Sequence, residues 1–222
     1  MIRRFKVGYG VELHKCTLER ALLSLIGPRA AALAGAEQLP AEEHANAPLS
    51  IDGVETLAVR TDVGVDLFCE AAERERLASL LAARGARPVG EQAAECLRIE
   101  RGRPRYGLDL DDSVIPQEAA LNERAVSFTK GCYVGQETVA RLHYRGRPNR
   151  HLRGLRLSEP ASAGEELRLG ERAVGCLASS TVSPRLGPIA LALVRREAGP
   201  GAVLGVGGHA SAEVVELPFA GI

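Results

Sequence analysis

The sequence lacks a charge of either sign in excess: 28 Lys and Arg residues balance 28 Asp and Glu. A global field toward nucleic acid or anionic membrane is thereby excluded, and only a local patch can serve such a partner. No apolar run approaches the roughly 20 residues that span a bilayer, so no membrane partner is expected. The basic start, Arg3-Arg4-Phe5-Lys6, is not followed by the apolar core of a signal peptide. The five cysteines, Cys16, Cys69, Cys96, Cys132 and Cys176, form no C-x-x-C pair, which excludes zinc-knuckle and thioredoxin spacings. An odd number of thiols without a leader fits a reducing, cytoplasmic setting. The five histidines are scattered without ligand spacing, so no permanently bound metal is expected. Walker, dinucleotide-binding and Gly-x-Ser-x-Gly patterns are missing too.

What remains is an ordinary globular composition, 45% hydrophobic and 25% charged over 222 residues, enough for one large domain or two small ones. Residues 7–16 read as a strand and Ala21 to Ile26 as a second apolar run. Gly27-Pro28 then opens a short alanine-rich helix through Leu33. Asp52-Gly53 between two alternating segments predicts a two-residue hairpin. A strand over Val65–Cys69, a helix over Ala71–Arg84 and a helix over Glu91–Glu100 follow. Mixed helices and hairpins of this kind predict an α+β fold. From Arg150 the texture changes to six short apolar runs, Leu152–Leu157, Glu166–Leu169, Ala173–Ala178, Ile189–Val194, Ala202–Val206 and Ala212–Leu217. Gly or Pro separates most of them, the pattern of a small β-barrel or sandwich. The expected boundary lies near Arg147-Pro148, giving regions 1–147 and 148–222.

Reactive chemistry concentrates in Lys130-Gly131-Cys132-Tyr133-Val134-Gly135-Gln136-Glu137, with Arg141 close behind. The two glycines permit positive φ and a shaped loop. Cys132 is either a functional thiol, with Lys130 and Arg141 as cations able to favour its thiolate, or a small buried hydrophobe. Asp109-Leu110-Asp111-Asp112-Ser113 lacks the pattern of a calcium loop and reads as a turn or cap. Arg141, Arg145, Arg147, Arg150, Arg153 and Arg156 form a basic run. Either it is a solvated face, or it contacts phosphate or carboxylate groups, RNA included.

The octet resembles the K-G-C-Y-x-G-Q-E signature of YgfZ-type folate-binding proteins, relatives of the glycine-cleavage T-protein. Further segments fit in order: Gly27-Pro28-Arg29-Ala30, Arg98-Ile99-Glu100-Arg101-Gly102-Arg103-Pro104, Pro116-Gln117-Glu118-Ala119, and the C-terminal stretch through Leu217-Pro218-Phe219. The resemblance implies modules around a central cleft for tetrahydrofolate, ending in a small β-barrel. It implies that the octet, through Lys130, Gly131, Tyr133, Gly135, Gln136 and Glu137, borders that cleft with Arg141, and that Cys132 is the functional thiol. Asp66, in Gly64-Val65-Asp66, matches the acid that hydrogen-bonds the pterin, and Arg98 matches the arginine of R-x-E-x-G that lines the same cleft.

The resemblance also implies a role in assembling or repairing iron–sulfur clusters in client enzymes, tRNA-modifying enzymes among them. The partners are then those enzymes or cluster assembly factors, with tRNA itself as a further expectation. Family members carry an additional N-terminal portion holding the catalytic aspartate of T-proteins. The resemblance therefore implies an N-terminally shortened first module and an accessory protein rather than a classical enzyme. A tetrahydrofolate-dependent aminomethyltransferase is the enzymatic alternative, and an RNA-contacting scaffold using Arg141–Arg156 the binding alternative. The loop before Asp66 is shortened to Thr61-Asp62-Val63.

Overall fold

The computed structural model describes residues 8–220. Its two compact units divide after Pro88.

The first unit is built on strands β1 (Arg20–Ile26), β2 (Asn46–Ile51), β3 (Val54–Arg60) and β4 (Gly64–Glu70). They form an antiparallel sheet in the order β1-β4-β3-β2. Helices α1 (Ala30–Ala34) and α2 (Arg74–Ala83) complete the unit, α2 continuing from a 3-10 turn at Ala71–Glu73. Alternation along β4 buries Val65, Leu67 and Cys69 and turns Asp66 and Phe68 to the other face, as the period of a strand requires. The buried face meets Ala30 and Ala34 of α1 and Leu77 and Leu81 of α2 in one core. Asp52 and Gly53 both take positive φ, 48° and 80°, the geometry of the predicted two-residue hairpin. Gly64 is required by close approach, because a Cβ there would lie 1.9 Å from the carbonyl oxygen of Leu25.

The strand expected over residues 7–16 does not form in its described part, 8–16; Val7 lies outside the described residues. Tyr9 and Val11 alternate as a strand would, yet they are 73% and 50% exposed. Without a neighbouring strand to take its N–H and C=O groups, an alternating pattern has nothing to pair with.

The second unit opens with helices α3 (Glu91–Glu100), α4 (Asn122–Ala125) and α5 (Gln136–Arg145). Strands β5 (Arg150–Leu157), β6 (Glu166–Leu169), β7 (Arg172–Ser183), β8 (Gly187–Arg195), β9 (Val203–Val206) and β10 (Ala210–Val215) follow. They close into a barrel in the order β10-β5-β8-β7-β6-β9. The six runs read from the sequence are these six strands, and the α+β fold with a C-terminal barrel is what the structure shows. Leu155, Leu167, Val174, Leu177, Leu204 and Val214 fill the interior.

The barrel starts at Arg150, where the texture of the sequence changes, but the compact units divide at Pro88 and residues 89–149 group with the barrel. Helix α3 explains this grouping. Its Ile99 is buried with Leu152, Ile189, Leu191 and Phe219, and Gly102 just beyond it, at φ 66°, sits so close to Leu217 that a Cβ would fall 2.8 Å away.

Candidate functional site

Helix α5 and the loop before it carry the octet. Gly135 is the N-cap of α5 with φ 87°, a left-handed conformation that glycine adopts without penalty. It reverses the chain so that Lys130 to Val134 lie outside the helix as a turn. The Lys130 ammonium stands 4.8 Å from the centre of the Tyr133 ring, a cation–π contact that bridges over the intervening Cys132. The Lys130 amide N–H donates to Oγ of Ser127 at 3.2 Å. Cys132 is an exposed free thiol, and Val134 beside it is fully exposed. The Lys130 cation, expected to favour the thiolate, stands over the phenol ring three residues on. His143 stacks on Phe128 with ring centres 3.9 Å apart, which holds the start of the loop against α5.

The loop is held from below by Pro116–Ala119. Nε2 of Gln117 donates to the carbonyl oxygen of Val139 at 2.6 Å, tying this segment to the buried turn of α5. Glu118, 7% exposed, accepts from Nε and Nη2 of Arg150 at 3.0 and 2.9 Å. Its hydrogen bond raises the Arg150 pKa above the ordinary guanidinium value. The carbonyl oxygen of Glu118 accepts the Leu152 N–H at 2.6 Å. Gln117 and Glu118 enter the sequence reading only as matched motif letters. Their role as a buttress between α5 and β5 depends on partners 22 and 32 positions away.

Arg98 lies on α3 with its side chain 15% exposed. Nε and Nη2 grip the two oxygens of Glu95, Nη1 donates to Oδ2 of Asp109 at 2.7 Å and to the carbonyl oxygen of Arg103, and Nη2 also donates to Oγ of Ser179 at 2.7 Å. A guanidinium has five N–H groups, and all five are taken. Burial opposes the charge on Arg98, but the bond from Glu95 and the charge of Asp109 outweigh it and raise the pKa. The structure therefore makes Arg98 an internal clamp between α3, the turn at 103–109 and barrel strand β7, with no N–H left for a ligand. Asp109 lies in the expected turn, its Oδ2 accepting the Arg105 N–H at 2.8 Å, and is also the buried partner of this clamp. The turn reading holds as well for Asp111, whose Oδ1 accepts from the N–H and Oγ of Ser113 at 2.8 and 2.6 Å.

Asp66 lies in the other unit, on the sheet face turned away from the helices. Its Oδ1 accepts from Oγ of Ser24 across the β1–β4 pair at 2.6 Å. Two residues along on the same face, Leu22, Phe68 and Leu57 form a cross-strand row of half-exposed apolar side chains. A carboxylate has about four acceptor positions, so Asp66 retains capacity for the paired N–H donors of a pterin edge, next to an apolar surface suited to a flat ring. On this test the residues fit at Asp66 and not at Arg98. The shortened loop before Asp66 is a tight turn, closed by the Thr61 N–H on the Gly64 carbonyl at 3.0 Å.

The basic run is not one patch. Arg150 is paired with Glu118, Arg153 with Glu216, and Arg156 donates to the carbonyl oxygen of Ala220. Exposed Arg141, Arg145 and Arg147 remain with Lys130 around α5. Among the described residues no three His, Cys, Asp or Glu side chains converge as a metal-ligand set.

Residues 150–220 match the glycine cleavage T-protein C-terminal barrel domain. The chain is 36% identical to an aminomethyltransferase of Streptomyces avermitilis over 90% of its own length and 59% of that protein. It is 32% identical to an aminomethyltransferase of Rubrobacter xylanophilus over 98% of its length and 61% of that protein. A putative chloroplastic transferase of Arabidopsis thaliana is 31% identical over 94% of the chain and 50% of its own length. The crystal structure of the glycine cleavage system aminomethyltransferase T from Bartonella henselae superposes with a TM-score of 0.76 at 25% identity, covering 91% of this chain and 60% of that one. The chain thus spans about three fifths of the Streptomyces avermitilis and Rubrobacter xylanophilus relatives.

Proposed function

Within the glycine-cleavage T-protein superfamily, which the matches support for this chain, we propose a folate-binding accessory protein for iron–sulfur enzymes. Its reactive element is the Cys132 loop and its pterin-recognising residue is Asp66. The observation that carries the reading is the presentation of Cys132: an exposed thiol on a turn fixed by the Lys130–Tyr133 contact, by Gly135 and by the Gln117 buttress. Structural cysteines are typically buried and inert, whereas reactive ones are accessible. The cluster itself belongs to the client enzyme or its assembly factors, among them enzymes that modify tRNA, and the proposed setting is the cytoplasm. Tetrahydrofolate, when bound, supplies a reduced pterin and a one-carbon carrier. Asp66 would hold its N–H edge.

Cys132→Ala tests the thiol. The variant is expected to fold normally and to leave cluster-dependent enzymes underactive in cells that rely on this protein. Full complementation of a deletion strain by Cys132→Ala rules the thiol role out.

The enzymatic alternative, transfer of an aminomethyl unit to tetrahydrofolate, draws on the activity named for the bacterial relatives, which supports the superfamily common to both readings. The two readings share folate binding and part at turnover. Formation of methylene-tetrahydrofolate from an aminomethylated carrier protein would favour the transferase.

A further inference from the structure

We propose that residues 9–15 act as a strap. They close onto the free edge of β1, adding a strand to the four-stranded sheet, and wall the Asp66 site beside its bound ligand. The strap regulates the site of the proposed function and so rests on Asp66 as the ligand contact. As the structure stands, the strap makes one backbone–backbone bond among the described residues, from the Val11 N–H to the Tyr9 carbonyl oxygen at 2.9 Å.

The edge is open by geometry. The Gly27 N–H donates to the Val63 carbonyl and the Ala71 N–H to the Glu19 carbonyl, so the odd-numbered residues of β1 are the ones bonded to β4 in this register. The N–H and C=O groups of Arg20, Leu22, Ser24 and Ile26 therefore point away from the sheet, and β1 pairs with β4 alone. The opposite edge strand, β2, carries Pro48, whereas β1 carries neither Pro nor Lys. An unguarded edge of this kind is a template for another strand. Ala21, Leu23 and Leu25 stay half-buried where their β4 partners Cys69, Leu67 and Val65 are fully buried.

The strap is already tethered in register with that edge. The Glu19 N–H donates to the Cys16 carbonyl at 3.0 Å, and neither Thr17 nor Leu18 takes positive φ, which suits a four-residue hairpin loop over 16–19. That loop sets Lys15 opposite Arg20, whose charge is paired with Glu70. It then sets Leu13 opposite Leu22, Val11 opposite Ser24 and Tyr9 opposite Ile26. These β1 positions carry the outward N–H groups and lie on the Asp66 face. The three apolar strap residues thus fall beside the exposed row of Leu22, Phe68 and Leu57, and Glu12 and His14 fall on the other face. A slip of one residue would reverse this. Closure places Val11 at the end of the row Ser24, Asp66 and Val59, with Tyr9 one step along. A flat ligand on that face gains a side wall, and strap and ligand stabilise each other.

Cross-linking tests the register. Paired Cα atoms about 5.5 Å apart lie within disulfide reach. In a Cys16→Ser background under diamide, Tyr9→Cys/Ile26→Cys is expected to cross-link well ahead of Gly10→Cys/Ile26→Cys, whose first thiol faces the other side; peptide mass spectrometry reads both. Equal rates overturn the strap. Hydrogen exchange tests the coupling to ligand. With saturating tetrahydrofolate, exchange at the Leu22, Ser24 and Ile26 amides is expected to slow by about five- to a hundredfold. Val11→Pro removes an N–H that the strap donates to β1. By reciprocal linkage it is expected to weaken tetrahydrofolate by the same factor, read by isothermal titration. Binding to the parent with unchanged exchange at these amides, or with equal affinity for Val11→Pro, overturns the closure. Should the parent bind no tetrahydrofolate, the Asp66 reading fails by itself; in-register cross-linking then still supports the added strand, and its absence removes that too.

Discussion

Arg98 donates to Asp109 across 2.7 Å, and the carboxylate that receives this bond is entirely removed from solvent. A bond between a charged helix residue and a buried acid eleven positions away fixes the turn at 103–109 against α3. Breaking such a pair from one side leaves the other charge buried and uncompensated, a loss of about 3–5 kcal/mol. Arg98→Ala is therefore expected to lower the stability of the barrel unit by that order, measured by urea denaturation. Arg98→Lys, which keeps the charge but loses the five-way fork, is expected to fall between. A parent-like midpoint for Arg98→Ala would remove the clamp.

The same cluster sets an acid response. The hydrogen bond from Arg98 holds the Glu95 carboxyl below its ordinary pKa, against the opposing effect of burial. Because the folded value is depressed, the unfolded chain takes up the proton first as pH falls. Glu95 thus contributes its full stabilisation above the ordinary carboxylate range and loses it progressively as pH drops through that range toward the depressed value. Glu95→Gln is expected to be less stable than the parent at neutral pH and to flatten this part of the pH–stability curve. Denaturation midpoints at a series of pH values check it; parallel curves would discard the assignment.

Short-range signals in the sequence were enough for the barrel strands, the Asp52-Gly53 hairpin and the Gly135 turn, since each depends on residues a few positions apart. The octet stood out by composition, and its glycines marked the loop. Arg98 is the opposite case. Its motif pointed to a ligand cleft, whereas its five acceptors come from α3, the 103–109 turn and Ser179, 81 positions away. The strand at 8–16 failed for a related reason: alternation states what a segment would bury, not whether a partner exists. Of the six arginines in the basic run, three are consumed by Glu118, Glu216 and Ala220, contacts that proximity in sequence does not announce.

The Lys130–Tyr133 contact makes a local prediction. An exposed cation–π pair is worth about 0.5–1 kcal/mol, which is small for global stability but large for a turn with few other bonds. Lys130→Met is expected to leave the melting temperature unchanged and to speed amide hydrogen exchange at residues 131–135 severalfold, while Lys130→Arg restores the parent rate. Equal exchange in all three proteins would show that the ring contact does not order the loop.

At Gly135 the cost of a side chain is purely conformational. The φ of 87° is left-handed, and a Cβ placed there meets nothing within 4 Å. Gly135→Ala is expected to destabilise the start of α5 by about 1–2 kcal/mol, with Gly135→Asn milder because Asn visits this region more readily. Circular dichroism on thermal unfolding, with exchange protection across 136–140, measures the effect. If Ala proves as stable as Gly, the N-cap conformation assigned to residue 135 is wrong.

Asp66 and Arg98 make opposite predictions for folate. Asp66 is half-buried on a sheet face, bonded only to Ser24 among the described residues, and exchanging its carboxylate for an amide removes an acceptor without emptying the core. Asp66→Asn is expected to keep the parent's stability within about 0.5 kcal/mol, as surface substitutions usually do. It replaces an acceptor pair with one acceptor and one donor, so one of two N–H bonds to the pterin edge is lost. Losing a hydrogen bond to a charged group costs about 1.5–3 kcal/mol, which is roughly a ten- to hundredfold weaker Kd. Isothermal titration with a reduced folate reads this directly. Arg98→Lys, titrated in the same way under conditions where it is folded, is expected to bind folate as the parent does. The reverse pattern, with Asp66→Asn unaffected and Arg98→Lys weakened, would return the ligand contact to Arg98 and show that its internal bonds open to receive one.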